Sequence, residues 1–109
     1  MNKLLELFQN YLDAVEISIP KRIKKRDQPQ AGIMLDRLIR SLKSRINGIE
    51  QWEKNDYQIK ESDIFNMRTS LWHRDHILES LPMTDEVKQA RMEIYNFLAE
   101  IKKKLVKED

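Results

Sequence analysis

The sequence has no cysteine, and only two glycines and three prolines in 109 residues. Without cysteine there is no disulfide framework, no thiolate metal site and no cysteine nucleophile. A reducing compartment suits such a composition. Few helix breakers, together with 35% charged residues, favour long helices over a sheet-rich fold. No run approaches the roughly 18 apolar residues of a membrane span, and Met1 leads into an amphipathic pattern rather than a signal peptide. A cytoplasmic protein with no membrane partner is therefore expected. Glycine-rich phosphate loops and nucleophile elbows are also missing, which excludes the common ATP, dinucleotide and serine-hydrolase chemistries and leaves no cofactor to expect.

What is present is helical periodicity. Leu4, Leu5, Phe8, Tyr11, Leu12 and Val15 recur at steps of three and four and predict a first helix from Asn2 to Ser18, ended near Pro20. Val15, Ile17 and Ile19 also alternate, which leaves room for a short extended exit. A second helix is predicted over Ala31 to Glu53. Its seam is Leu35, Ile39, Leu42, Ile46 and Ile49, with Leu38 beside it. Gly48 interrupts that seam only as a possible kink. After a polar connection, Ser62 stands as N-cap of a third helix that closes at Leu81 before Pro82. Thr84 or Asp85 then caps a fourth helix carrying Val87, Ala90 or Arg91, Ile94, Phe97, Leu98, Ile101 and Leu105. Lys102, Lys103 and Lys104 suit its C-terminal end. Four helices of this kind predict one all-α domain over residues 1–109, an antiparallel four-helix bundle.

Charge is unevenly spread. Residues 1–50 carry 10 Lys and Arg against 6 Asp and Glu, whereas residues 51–109 carry 10 against 12. The excess concentrates in Lys21, Arg22, Lys24, Lys25 and Arg26 of the first connection, and continues on the second helix at Arg37 and Arg40. This is the expected anion-facing surface, for RNA, DNA or an acidic protein. No aromatic residue interrupts the run Lys21 to Arg26, so base stacking from it is not expected.

The third helix holds the densest chemistry. At 100° per residue, Ile64, Phe65, Met67, Leu71, Trp72, Leu78 and Leu81 share one broad apolar arc, and Arg68 and Asp75 fall inside it. Charges on such an arc must be paired, with each other or with neighbours, or must meet a partner. Trp72 and Arg68 together suit the centre of a protein interface. His73 points away from the arc and His76 lies at its edge. The two histidines are three apart with no repeated Glu-x-x-His pair, so no metal site is expected.

In RTSLWH, Arg68 is followed by four residues and then His73. This pattern resembles the motif helix of the HEPN family of helical-bundle ribonucleases, in which four to six residues separate an Arg from a following His. The position after the Arg is Thr69 rather than the commoner Asn, and Asp75 stands where an aromatic is often found. The resemblance implies a dimer that brings two motifs together for metal-independent RNA cleavage. Arg68 would hold the phosphate and His73 would act as acid or base. Two readings therefore stand after the sequence. The leading one is a non-catalytic interaction or regulatory module for a macromolecular partner, protein or nucleic acid, or for self-association. The other is the ribonuclease.

Overall fold

The computed structural model describes residues 2–107, so Met1, Glu108 and Asp109 of the expected 1–109 domain lie outside it. Four helices account for most of the chain: α1 (Asn2–Ser18), α2 (Gln30–Lys54), α3 (Glu61–Leu78) and α4 (Asp85–Lys107). They form an antiparallel four-helix bundle of 53 × 24 × 18 Å. α1 packs on α2 and α4, and α3 packs on the same two. Side-chain pairs fix the directions. Ser18 meets Thr84 at one end of α1/α4, while Lys3 and Glu100 border one groove at the other. Arg45 and Ser41 of α2 meet Ser70 and Arg74 of α3 respectively, and Asp75 of α3 meets Arg91 of α4.

Burial of the apolar stripes drives the assembly. Leu4, Phe8, Tyr11 and Val15 of α1 face Val87, Ile94 and Leu98 of α4, all of them fully enclosed. On α2 the buried seam runs through Ala31, Leu38, Leu42, Ile46 and Ile49. Leu42, Ile46 and Ile49 are buried as expected, whereas Leu35 and Ile39 are only half-buried, so the N-terminal half of the seam shifts to Leu38 and Ala31. The helix continues unbroken through Gly48, where a Cβ would meet nothing within 4 Å. This glycine thus marks a solvent-facing position rather than a kink.

The ends of the helices follow their local chemistry. α1 remains helical to Ser18, with Ile17 exposed and Ile19 buried, so no extended exit forms. Two short 3-10 turns, Pro20–Arg22 and Lys25–Asp27, carry the chain across the end of the bundle. Asp56, at φ 52°, takes the left-handed conformation that short polar side chains tolerate and turns the chain out of α2. Tyr57 then stacks on Trp52 at 5.1 Å and donates to Asp63 at 2.7 Å. α3 starts at Glu61 rather than after Ser62, because the Asp63 carboxylate accepts the Lys60 N–H at 2.9 Å. It ends at Leu78, three residues before the expected Leu81. Leu81 is nevertheless buried, in the turn that leads to α4. Thr84 is the N-cap of α4. Its Oγ1 accepts the Val87 N–H at 3.2 Å and shares a 2.7 Å hydrogen bond with Ser18.

Candidate functional site

α3 departs most from the sequence expectation. Its buried positions are Ile64, Met67, Leu71, Arg74 and Leu78, a three-four-three-four seam in which an arginine takes one of the apolar places. Phe65 (70% exposed) and Trp72 (56%) lie outside that seam, on the opposite side of the helix. The broad arc drawn from the sequence therefore divides into a core row and an exposed aromatic row. Trp72 rests edge-on against His76 at 4.7 Å. Arg68 is also exposed, and no pair forms between it and Asp75.

Asp75 instead turns to α4. Its carboxylate accepts from the Arg91 guanidinium at 3.3 Å and from the Tyr95 hydroxyl at 3.2 Å. Burial, then the charge and hydrogen bond of Asp75, hold the Tyr95 phenol above its ordinary pKa. On the α2 side of α3, Arg74 donates to Ser70 Oγ and to the Ser41 carbonyl, the latter at 3.0 Å. Arg45 donates to the same Ser70 Oγ at 3.3 Å. Tyr11, from α1, completes this polar layer across the bundle. Its hydroxyl is buried and meets no hydrogen-bond partner among the described residues. Burial, with Asp75 adding to it, raises its phenol pKa far above the usual value. The sequence placed Tyr11 on the core stripe of α1, where it is buried, but did not reveal its part in this layer, and Arg74 and Tyr95 were missed. Arg74 was detectable in the three-four spacing that it continues.

The basic positions separate into groups. Arg26 and Arg37 border one cleft of about 490 Å³. It lies where the first connection, the start of α2 and the turn after α3 meet. Ile23, Ala31, Ile33, Met34 and Pro82 supply its apolar wall, and Asp27, Gln30 and Ser80 its other polar groups. Ile33 is 55% exposed although it is a large aliphatic side chain. Lys21 and Arg22 point elsewhere, to a groove between α1 and α4 that they share with Asp13 and Glu86. Lys24 and Lys25 are exposed between the two. Arg40 is bound at 2.9 Å to Asp36, four residues earlier on the outer face of α2. The expected continuous basic surface is thus one mixed cleft with two guanidiniums, flanked by separate cations.

Arg68 and His73 are both exposed. Five residues apart on one helix, they point about 140° away from each other. Arg68 lines a groove with Phe65, Thr69 and Lys102 at the α3/α4 edge. His73 is not among the residues lining that groove. Among the described residues, no three His, Asp or Glu side chains gather as a metal site. No helix among them is long and apolar enough to cross a membrane. Comparison with protein-family models, curated proteins and solved structures found no match to this chain.

Proposed function

We propose that this chain is a single-domain, non-catalytic interaction module of the cytoplasm. Its partner is an acidic protein segment with an apolar anchor, bound in the cleft between the first connection and α2. The observation that carries this reading is the composition of the cleft. Arg26 and Arg37 stand beside Ile23, Ile33 and Met34, with Asp27 as the one acidic side chain, so the lining is apolar with net positive charge. An exposed aliphatic wall gains free energy when a partner side chain covers it, and the guanidiniums select carboxylates by bidentate hydrogen bonding. Nucleic acid is the weaker fit, because no aromatic side chain lines the cleft to stack on a base.

Fluorescence anisotropy tests this with labelled peptides in which Glu and Asp alternate with Leu and Phe. A lysine-substituted peptide and single-stranded RNA serve as competitors. The acidic peptide binds at low salt and weakens as salt rises. Arg26→Glu with Arg37→Glu abolishes binding, while Arg40→Glu, on the Asp36-paired outer face, leaves it in place. Failure of every acidic peptide at low salt, or binding indifferent to the Arg26/Arg37 reversal, refutes the reading. RNA binding without peptide binding moves the partner to nucleic acid.

The ribonuclease remains the second reading, supported by the exposure of both Arg68 and His73 on α3. Because they diverge, a shared phosphodiester would need Arg68 from one chain and His73 from another. Metal-free incubation with labelled single-stranded RNA, beside His73→Ala, decides it. Cleavage lost in the variant establishes the nuclease, and no cleavage removes it.

A further inference from the structure

Where α2 meets α3, two guanidiniums, Arg45 and Arg74, lie together without a counter-charge. Arg74 is 6% exposed, yet among the described residues no carboxylate pairs with it or with Arg45. Asp75, its neighbour in sequence, is turned to α4 and engaged by Arg91 and Tyr95. Burial, followed by the like charge of Arg45, disfavours the charged form of Arg74. Both cations converge on one hydroxyl, Ser70 Oγ.

The hydrogen-bonding balance of this cluster is one-sided. Ser70 Oγ accepts from Arg45 and Arg74, so its own O–H is left to donate. The Nε–H of Arg74 meets no acceptor. Arg45 spends one N–H on Ser70 and keeps the others. The unspent groups are therefore all donors, and an acceptor-only ligand complements them. Arg45, Ser41 and Ser70 are half-buried, so the outer edge of the cluster is in contact with solvent. We propose that Arg45, Arg74 and Ser70 form a binding site for a phosphate-type oxyanion, whose oxygens match the planar fork of a guanidinium.

Inorganic phosphate is the first probe, followed by melting temperature and by the Arg Nε resonances in NMR, with chloride at matched ionic strength as control. The expected result is a melting temperature that rises with phosphate beyond the chloride control, as a ligand specific to the folded state requires. Arg45→Met and Ser70→Ala each weaken phosphate at least about tenfold. Both alter half-buried positions, so the test does not depend on a variant at the buried Arg74. Lys24→Ala with Lys25→Ala keeps the effect, which separates this site from the basic connection. A nucleoside monophosphate binding more tightly than inorganic phosphate identifies a phosphoryl ester as the source. The reverse order identifies the free ion. No phosphate effect beyond chloride, or an effect that survives both Arg45→Met and Ser70→Ala, overturns the proposal.

Discussion

Replacing Arg74 by Met should make the folded chain more stable in buffer free of phosphate. The arginine occupies a seam position between Leu71 and Leu78 and is 6% exposed. Its charge has lost water without gaining a carboxylate, and Arg45 lies close enough to repel it. Removing it orphans little. The Ser41 carbonyl, which accepts from Arg74 at 3.0 Å, keeps its place in the hydrogen-bond ladder of the unbroken α2. Ser70 Oγ keeps Arg45. Met also retains most of the aliphatic stem that packs in the seam. Exchanging even a buried ion pair or triad for apolar residues of similar volume is commonly neutral or gains about 1–4 kcal/mol, and Arg74 has no carboxylate among the described residues to offset its desolvation. We expect about 1–3 kcal/mol here, which at this chain length raises the melting temperature by about 4–12 °C. Urea denaturation followed by circular dichroism measures the change, and an unchanged m-value shows that the unfolded state was not altered. Phosphate should narrow the gap, because it stabilises only the arginine form. A Met variant less stable than the parent by about 1 kcal/mol or more would refute the reasoning. It would mean that the hydrogen bonds of Arg74 outweigh its desolvation.

Two further perturbations test the cap and the buried phenol. Thr84→Ala should cost about 1–2 kcal/mol, because it leaves the Val87 N–H without its cap and removes the hydrogen bond that ties Ser18 of α1 to the start of α4. Thermal denaturation reads the loss, and a change within about 0.3 kcal/mol would show the cap to be dispensable. Tyr11 and Tyr95 hold their phenolic protons at a pH where the unfolded chain has lost them. Stability that is level below about pH 10 therefore falls as pH rises further, by up to about 1.4 kcal/mol per pH unit from Tyr11. Tyr11→Phe should remove that contribution, and at neutral pH it should be neutral or gain about 1 kcal/mol, since the hydroxyl it deletes is unsatisfied. An alkaline limb unchanged in Tyr11→Phe would contradict this.

Periodicity and punctuation made the four helices legible. Pro20 and Pro82 mark the connections, and α2 differs from its expected limits by one residue at each end. α3 was misread for a physical reason. A hydrophobicity projection rewards Phe65 and Trp72 and penalises Arg74, whereas packing places residues by angle first. Stepping three and four from Ile64 leads through Met67 and Leu71 to Arg74, and past it to Leu78, without consulting residue type. The basic run was equally visible, but not its division. The two 3-10 turns send Lys21 and Arg22 to the α1/α4 groove and bring Arg26 to Arg37, and no periodicity in the run encodes that.

A helix with apolar side chains on opposite faces has two ways to bury one of them, so something must choose. On α3 the competing rows are Ile64–Met67–Leu71–Leu78 and Phe65–Trp72, and hydrophobic burial alone would reward either. The polar layer supplies the choice. With the first row inward, Arg74 reaches Ser41 on α2 while Asp75 reaches Arg91 and Tyr95 on α4. Turning Phe65 and Trp72 inward would rotate Arg74 away from α2 and break the Asp75 bonds together, so rotation and register are selected by the same groups. Buried polar groups fix a unique arrangement in some helical assemblies at a cost in stability. The consequence here is that Arg74→Met combined with Asp75→Asn should keep its helicity but lose its single orientation of α3. In a Trp52→Phe background, acrylamide quenching reports Trp72 alone, which is 56% exposed in the parent. Quenching should fall in the double variant and amide resonances of α3 should broaden. Single Arg74→Met, with Asp75 still anchored on α4, should retain the parent's quenching. Unchanged quenching with sharp spectra in the double variant would show that core packing alone orients α3.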